Sequence, residues 1–249
     1  MIRALFFDLD DTLIRYDAPY EVALTASHTL LASRHPNVSL SDLRTAIHRA
    51  YEKRYGYKSV AGFAEAGAIS VRAMREALTA DALATLETDD ATDTAFIGEL
   101  IAAHEAVEAR EIVAFPDTHN TLDVLQNHFA LGVITNGPSA MQRAKLAATG
   151  LASRFAHVVV DSEFGHPKPD GRIFAHAARI AGFAPEQLLF VGNSPEADVA
   201  GSVRAGWTSV WVNATGAPLP PGTPTPHYEI KTLGELMYLP TVADVLRRD

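Results

Sequence analysis

The chain has 249 residues, a formal net charge of −9 and no cysteine. The acidic balance argues against a nucleic-acid partner, which needs a basic face, and the lack of cysteine excludes thiol nucleophiles, disulfide frameworks and cysteine-bound metals. No apolar run approaches the roughly 20 residues that a membrane helix needs, and no basic segment followed by a long apolar segment precedes the first strand. We therefore expect a cytoplasmic protein with no membrane partner.

The first predicted strand ends directly in acidic residues. The segment from Ala4 to Phe7 is apolar throughout, which is typical of a strand buried on both faces of a parallel sheet. Asp8 and Asp10 follow, and side chains two residues apart share a face if the strand geometry continues. At the carboxyl end of a central strand, one carboxylate can attack or hold a metal and the other can move a proton.

A long helical stretch separates this strand from the later ones. Between the first strand and residue 108, apolar residues recur at helical spacing, as from Leu43 to Tyr55. A single strand is not stable alone, so the first strand must pair with strands that follow this stretch. We therefore predict an α/β core of residues 1–15 and 109–249, with an all-helical domain of residues 16–108 inserted into it.

The rest of the chain alternates helices with short apolar strands. Such alternation predicts a parallel, Rossmann-like sheet with right-handed crossovers. A loop rich in proline and glycine at 216–226 precedes a tail in which Leu233 and Val245 are expected to belong to one last helix packed on the core. The predicted strands after the helical stretch are 131–135, 157–160, 188–191 and 209–212.

Polar residues follow the predicted strands at the points where the strands end. Thr135 and Asn136 follow the second strand, Lys168 lies in the connection after the third, and Asn193 and Asp198 follow the fourth. The carboxyl ends of parallel strands meet at one edge of a sheet. We therefore expect these side chains to gather around the carboxylates of the first strand.

Four segments, in order, resemble the motifs of the haloacid dehalogenase (HAD) superfamily of hydrolases. The resemblance covers residues 1–14 and about 112–212, and four ordered motifs are far more specific than any one of them. The helical stretch lies where the subfamily I cap of this superfamily is inserted. The matching segments are D-L-D-D-T-L at 8–13, V-I-T-N-G at 133–137, S-E-x-G-x-x-K-P-D at 162–170 and V-G-N-S-x-x-x-D at 191–198.

The resemblance implies catalysis through an aspartyl-phosphate intermediate. Asp8 corresponds to the nucleophile that attacks phosphorus. Asp10 corresponds to the acid that protonates the leaving oxygen and then to the base that activates water. Thr12 is expected to help fix Asp10.

The same resemblance assigns the groups that bind the phosphoryl oxygens. Thr135 and the main-chain N–H of Asn136 correspond to the donors that hold these oxygens. Lys168 corresponds to the lysine that neutralises charge on the phosphoryl group and on Asp8. Compensating charge at these oxygens is the main source of rate in phosphoryl transfer.

The resemblance also implies a magnesium ion, with one departure from the family pattern. Asp8, the main-chain carbonyl of Asp10 and the fourth motif are the implied ligands. The fourth motif usually begins Gly-Asp, but Asn193 stands here in place of the aspartate. An amide offers an oxygen without the charge, so we expect weaker Mg²⁺ binding, with Asp198 compensating directly or through water.

Four functions fit these motifs to different degrees. A Mg²⁺-dependent phosphatase acting on a small phosphorylated metabolite fits best. The metal-free 2-haloacid dehalogenases of the superfamily lack the second acidic residue of the first motif, whereas Asp10 is present here. A phosphomutase shares the motifs. A signalling receiver would accept a phosphoryl group without turnover, and the helical insert argues against it.

Overall fold

A computed structural model describes residues 1–55 and 69–247 of the chain. The chain divides into two compact units, and the helical unit extends to Val113 rather than to the predicted residue 108, because its last long helix continues to Glu111. Residues 56–68 of the predicted helical domain lie outside the described residues. The α/β unit comprises Met1–Arg15, Ala114–Pro138 and Gln142–Asp249, and the helical unit comprises Tyr16–Val113 and Ser139–Met141.

Long helices form most of the described part of the helical unit. They are α1 (Asp17–Arg34), α2 (Leu40–Tyr55), α3 (Val71–Thr85) and α4 (Thr94–Glu111). The Ser70 hydroxyl accepts from the N–H of Ala73 at the start of α3, and the Asp93 carboxylate accepts from the N–H of Phe96 at the start of α4. Each such cap stabilises its helix by about 1 kcal/mol.

The core of the helical unit is formed by the apolar faces of these helices. α1 packs along α4, and α2 packs along α3. Leu24 and Leu31 of α1 and Ile101 of α4 are buried in one cluster. The Ser27 hydroxyl, buried in the same helix pair, donates to the Leu100 carbonyl at 2.8 Å, which satisfies a polar group that would otherwise be costly to bury.

The described strands of the α/β unit form one parallel sheet. They are β1 (Ala4–Phe7), β2 (Ala130–Thr135), β3 (His157–Val160), β4 (Leu188–Gly192), β5 (Thr208–Val212) and β6 (Tyr228–Ile230). Their order is β3-β2-β1-β4-β5-β6. The predicted Rossmann-like sheet, with its first strand in the interior, is confirmed. The strand order reverses beside β1, and open α/β sheets bind ligands at such a reversal.

β1 is interior because its side chains are apolar on both faces. The ring of Phe6 packs edge-to-face on Trp207, with ring centroids 5.3 Å apart, and Phe174 and Phe190 join the same buried cluster. Burying each large apolar side chain stabilises the fold by about 1.5–3 kcal/mol. Gly132 in β2 makes room for this ring, because a Cβ there would lie 2.3 Å from a ring carbon of Phe6.

Helices and short turns connect these strands. Gly150, which follows the end of α6, has φ of +70°, the left-handed conformation in which a glycine commonly ends a helix. The helices that follow Ala114 in the chain are α5 (Thr118–Leu125), α6 (Ser139–Ala148), α7 (Asp161–Phe164), α8 (Gly171–Ala181), α9 (Ala200–Arg204) and α10 (Pro240–Leu246).

The carboxyl-terminal tail differs from the prediction of one last helix. A 3₁₀ segment over Leu233–Tyr238 is followed by α10, and Pro240, which has no N–H to continue a helix, separates them. The sequence pattern does not predict β6, because three residues are too few to show a periodicity. Within residues 1–55 and 69–247, no helix combines the length and the apolar character that crossing a membrane requires.

Candidate active site

The polar residues that follow β1, β2 and β4 begin from adjacent positions at one edge of the sheet. In the register of the sheet, Phe7 at the end of β1 pairs with Val133 of β2 and Val191 of β4. The N–H of Asp8 extends this pairing by donating to the Val191 carbonyl at 2.8 Å. The backbone therefore carries the Asp8 carboxylate to the point where the strand order reverses.

Lys168 joins the carboxylates that follow β1 and β4. Its Nζ donates to Asp8 Oδ1 at 2.6 Å and to Asp198 Oδ1 at 2.7 Å. The Lys168 side chain is 2% exposed, so water screens these charges weakly. The structure thus brings together three of the residues that the sequence selects.

Asp198 approaches the main chain of β4 closely because residue 192 is glycine. A Cβ at Gly192 would lie 2.4 Å from Cγ of Asp198. Asp198 lies in a π-helical turn over Pro195–Val199, a rare geometry that is frequent at functional sites. Its Oδ2 accepts from the N–H of Ser194 at 2.9 Å, so both carboxylate oxygens already have a donor.

The charges of this cluster are not balanced. Burial raises the pKa of the Asp8 carboxyl; the charge of Lys168 opposes this, and the carboxylates of Asp198 and Asp10 add to it. Burial acts to lower the pKa of Lys168, but the charges of Asp198 and Asp8 outweigh it, so this pKa is raised. A firmly protonated lysine therefore lies beside carboxylates whose negative charge exceeds the local positive charge.

The two residues after β2 contribute in different ways. The Asn136 side chain is fully engaged with the main chain of Lys168, because its Oδ1 accepts from the Lys168 N–H at 2.8 Å and its Nδ2 donates to the Lys168 carbonyl at 3.0 Å. This clamp holds the loop that carries the lysine. Asn136 can therefore offer a phosphoryl oxygen its main-chain N–H but not its side chain.

Thr12 does not fix Asp10, which corrects the expectation from the sequence. Its hydroxyl lies 3.4 Å from both Asp8 Oδ2 and Asn193 Oδ1. The chain turns at Asp11, whose φ of +53° ends the strand geometry, so position 12 no longer shares a face with position 10. The Asn193 carbonyl accepts from Trp211 Nε1 at 2.9 Å, which holds the fourth motif against β5.

Asp10 is held instead by two residues of α6 that the sequence analysis does not select. Lys145 Nζ lies 2.9 Å and 2.8 Å from its two carboxylate oxygens, and Gln142 Nε2 donates to its Oδ2 at 3.1 Å. The same Gln142 nitrogen donates to the Thr135 hydroxyl at 2.5 Å. A sequence signal exists in retrospect, because Gln142, Lys145 and Thr149 have the spacing of one helix face and all are buried.

Other polar residues of the motifs have structural roles in the described chain. The N–H of Asp11 donates to the Ile14 carbonyl at 2.8 Å within the turn after β1. Ser194 caps the π-helical turn, Asp170 caps α8, and Glu163 pairs with Arg143. These contacts stabilise turns and helices, and none of them is made to the carboxylate of Asp8 or Asp10.

The oxygens near Asp8 suit a hard cation with water among its ligands. Asp8 Oδ2 and Asn193 Oδ1 both face the Thr12 hydroxyl, and its long hydrogen bonds leave lone pairs on both oxygens. Among the described residues, no three histidine, aspartate or glutamate side chains converge as a metal cluster. An ion here would take an amide and a main-chain carbonyl beside a carboxylate, and Mg²⁺ accepts such a sparse oxygen set because it keeps several waters.

Comparison with known proteins relates this site to a hydrolase family. Residues 2–206 match the family model of the haloacid dehalogenase-like hydrolases. The pyrimidine 5′-nucleotidase YjjG of Escherichia coli (strain K12) is 33% identical over 143 residues, which cover 57% of this chain and 63% of that protein. The match thus spans less than two thirds of the length of this relative.

Two further proteins match over nearly the whole chain. The N-acylneuraminate-9-phosphatase of Mus musculus is 26% identical over 240 residues, which cover 94% of this chain and 92% of that protein. The crystal structure of a 2-haloacid dehalogenase from Pseudomonas syringae pv. Tomato DC3000 superposes with a TM-score of 0.71 at 27% identity, covering 100% of this chain and 99% of that one. The similar proteins therefore include both phosphatases and a dehalogenase.

Proposed function

The chain belongs to the haloacid dehalogenase-like hydrolase family, and we propose that within it the protein is a Mg²⁺-dependent phosphomonoesterase acting through an aspartyl-phosphate. The observation that carries the proposal is the pair of carboxylates after β1, each held by a different lysine. Asp8 contacts Lys168, and Asp10 contacts Lys145. Two carboxylates in separate surroundings can take separate roles, one as nucleophile and one as proton carrier.

Asp8 is the proposed nucleophile. Its Oδ1 is bound to Lys168 at 2.6 Å and its Oδ2 has a 3.4 Å hydrogen bond from Thr12, so one carboxylate oxygen can attack while the other holds the cation. Attack forms a bond between an Asp8 carboxylate oxygen and phosphorus as the bond from phosphorus to the leaving oxygen breaks. Lys168 stays charged through this step and offsets negative charge on the carboxylate and on the phosphoryl group.

Asp10 is the proposed acid and base. In its protonated form it gives a proton to the departing alkoxide, and the resulting carboxylate then takes a proton from the water that attacks the aspartyl-phosphate. The second step releases inorganic phosphate and restores both aspartates. Such proton transfer typically contributes about 10²–10⁴-fold to the rate.

The donors after β2 are proposed to bind the transferred phosphoryl group. The Thr135 hydroxyl accepts from Gln142, so its own hydrogen is directed elsewhere and can serve a phosphoryl oxygen. The Asn136 N–H is the second donor, because the side chain of this residue is engaged with Lys168. Preorganised donors of this kind lose no free energy to reorganisation during the reaction.

The charge imbalance around Asp8 supports a divalent cation in the working enzyme. Asp8, the main-chain carbonyl of Asp10 and the Asn193 amide oxygen would hold Mg²⁺. Asp198 would contribute through Lys168, since both of its oxygens already accept hydrogen bonds. When bound, Mg²⁺ would supply positive charge that the developing phosphoryl oxygens need.

The helical unit is proposed to act as the cap that selects the substrate. The two similar phosphatases act, by name, on a pyrimidine 5′-nucleotide and on an acylneuraminate 9-phosphate. These substrates share a phosphomonoester and little else, so the proposal extends to a small phosphorylated metabolite. Substitutions in the helical unit are expected to change the preference among phosphomonoesters more than the turnover of p-nitrophenyl phosphate.

Dehalogenation is the second candidate, because the superposed structure is a 2-haloacid dehalogenase. The test measures phosphate release from p-nitrophenyl phosphate and a panel of phosphorylated metabolites, with Mg²⁺ and with EDTA, beside halide release from 2-chloropropionate. We expect Mg²⁺-dependent phosphate release and no halide release. Metal-independent halide release without phosphatase activity would overturn the proposal in favour of the dehalogenase.

Asp11, which is close to Asp8 in the sequence, offers a matched control for the Asp8→Asn variant. Asp11→Asn makes the same chemical change as Asp8→Asn, and asparagine tolerates the positive φ at this position. Asp11→Asn should keep turnover within about threefold of the wild type, because the half-buried side chain of Asp11 is not one of the proposed reacting groups and its main-chain contact to Ile14 does not depend on the carboxylate. Phosphate release that survives Asp8→Asn but not Asp11→Asn would contradict the assignment.

A further inference from the structure

Two side chains of α6 hold the carboxyl group of Asp10, and neither lies in the four motifs. Lys145 Nζ contacts both carboxylate oxygens, at 2.9 Å and 2.8 Å. Gln142 Nε2 donates to Asp10 Oδ2 at 3.1 Å and to the Thr135 hydroxyl at 2.5 Å. One amide group therefore joins the proposed acid–base to a proposed phosphate donor.

The burial of these side chains distinguishes them from ordinary surface contacts. Gln142 is 1% exposed and Lys145 is 8% exposed. Removing an amide and an ammonium group from water is unfavourable unless hydrogen bonds offset it. A helix face that packs on a sheet is usually apolar, and a buried ion pair is rarely more stabilising than apolar side chains of similar volume. Stability alone therefore gives little reason for this polar face.

The contacts restrict a torsion that is otherwise loose. The χ2 torsion of aspartate is broad, and the Asp10 side chain keeps 24% exposure, so an unheld carboxyl group would adopt many orientations. We propose that Lys145 and Gln142 are positioning residues that aim the Asp10 carboxyl group at the leaving oxygen. Gln142 also fixes the distance between the Asp10 carboxyl group and the Thr135 hydroxyl. This inference rests on the proposed function, because it concerns the proposed acid–base.

The first test compares two leaving groups in the Lys145→Met variant. An alkyl phosphate needs a proton on departure, whereas p-nitrophenyl phosphate does not. Misplacing a catalytic group by about 1 Å can cost about 10²-fold, so kcat/KM for the alkyl phosphate, which reports the steps up to departure of the leaving group, should fall by about that factor. The loss for p-nitrophenyl phosphate should be smaller. Equal losses for both substrates would overturn the positioning role.

Arg143 provides the matched control on the same helix. It pairs with Glu163, and the two side chains are 51% and 35% exposed. Arg143→Met removes a cation and an ion pair from α6 without touching Asp10, so both substrates should keep nearly wild-type kcat/KM. A loss in this control equal to that of Lys145→Met would show that any change in α6 disturbs the site, which overturns the inference.

A double-mutant cycle separates this inference from the proposed function. If Lys145 acts through Asp10, then Lys145→Met should change kcat/KM by less than about threefold in an Asp10→Asn background, because the two effects are not independent. Multiplicative losses would overturn the inference while leaving Asp10 as the acid–base. An Asp10→Asn variant with nearly full activity would instead overturn the proposed function.

The design also covers a Lys145→Met variant that fails to fold, as circular dichroism and thermal unfolding would show. Lys145→Gln then replaces it in the same cycle, since glutamine keeps a polar group at this buried position but lacks the charge and the length of lysine. A loss that disappears in the Asp10→Asn background supports the inference. A loss that multiplies with Asp10→Asn overturns it.

Discussion

The helical unit and the α/β unit each contain a cluster of charged side chains that are buried or partly buried. In the helical cluster, Arg75 contacts Glu105 at 2.9 Å and also contacts Glu108, which His104 reaches at 3.2 Å. In the sheet-edge cluster, the cations are lysines that follow β2 and β3. The helical cluster is Arg75, His104, Glu105 and Glu108, and the sheet-edge cluster is Asp8, Asp10, Asp198, Lys145 and Lys168.

The two clusters shift the pKa values of their carboxyl groups in opposite directions. Burial acts to raise the pKa of Glu108, but the hydrogen bond from His104 and the charge of Arg75 outweigh it, so this pKa is lowered. For Asp8, burial prevails over Lys168 and the pKa is raised. The surroundings of Glu108 thus favour its charged form and those of Asp8 disfavour it, and in this sense we call the helical cluster satisfied and the sheet-edge cluster unsatisfied.

This difference separates a structural ion network from a site prepared for a ligand. A satisfied cluster stabilises one packing and gains little from an added ion. An unsatisfied cluster stabilises any cation that can enter, and strongly perturbed carboxylates in low dielectric are typical of active sites. The following predictions test whether loss of charge affects stability in one unit and activity in the other.

The largest expected effect is the loss of activity in Asp8→Asn. An amide cannot attack phosphorus, so kcat should fall at least about 10³-fold, which corresponds to roughly 4 kcal/mol on the barrier. In EDTA, the free energy of unfolding should stay equal or rise, because the substitution removes uncompensated negative charge. Steady-state kinetics and urea unfolding measure the two quantities. A folded variant with more activity than this would remove Asp8 as the nucleophile.

Arg75→Met should lower the free energy of unfolding and leave the activity nearly unchanged. It leaves Glu108 partly buried without its guanidinium partner, and breaking such a pair costs about 3 kcal/mol of unfolding free energy, at the low end for buried pairs because Arg75 keeps 16% exposure. Turnover of p-nitrophenyl phosphate should remain near the wild-type value. Urea unfolding and kinetics again give both numbers.

A second ion pair of the helical unit is the control for this variant. Arg44 and Glu21 are 45% and 47% exposed, and exposed pairs contribute about 0–1 kcal/mol. Arg44→Met should therefore cost much less than Arg75→Met. Equal losses would mean that burial does not decide the strength of these pairs, and the comparison between the clusters would fail.

The sequence predicted much of the sheet-edge cluster for a simple physical reason. Parallel strands bring their carboxyl ends to one edge, so Asp8, Lys168 and Asp198 could be expected together from their positions after successive strands. The partners of Asp10 could not be expected in this way. They come from a helix, and which helix face meets the sheet edge depends on packing that the local pattern does not record.

Other differences between prediction and structure have similarly local causes. The resemblance to the superfamily implies that Thr12 helps to fix Asp10, but after the turn at Asp11 its hydroxyl lies near Asp8 and Asn193 instead. β6 is too short to show a periodicity. The apolar spacing of the tail predicts one helix, but Pro240 divides the tail into two segments. The long elements could be predicted because apolar periodicity is averaged over many residues, whereas a single turn or proline changes a short one.

Asn193→Asp should sharpen the contrast by adding charge to the unsatisfied cluster. Without metal it adds uncompensated charge, so the unfolding temperature in EDTA should fall. With Mg²⁺, the new aspartate supplies a charged ligand. The Mg²⁺ concentration that gives half of the full rise in unfolding temperature should therefore fall on the order of tenfold, or about 1.4 kcal/mol in binding free energy. Thermal unfolding against Mg²⁺ concentration measures both. An unchanged midpoint would exclude position 193 from the metal ligands.

The smallest expected effects are two pH dependences of opposite sign. A raised folded-state pKa at Asp8 means that the folded protein binds this proton more tightly than the unfolded chain, so this group lowers stability as pH rises above about 4. A lowered folded-state pKa at Glu108 means the reverse, so its stabilisation is present above about 4 and is lost as pH falls. Neutral amide variants remove each contribution separately.

Urea unfolding of the wild type, Asp8→Asn and Glu108→Gln in EDTA, from neutral pH down to about pH 3, which lies below the ordinary carboxyl pKa of about 4, measures these signs. As pH falls, the wild type should gain stability relative to Asp8→Asn and lose stability relative to Glu108→Gln. Changes common to the whole chain, such as net charge, cancel in each difference because each variant alters one carboxyl group. Differences of the same sign for both variants would show that the two clusters are balanced alike, and the argument for an added cation at the sheet edge would lose its electrostatic basis.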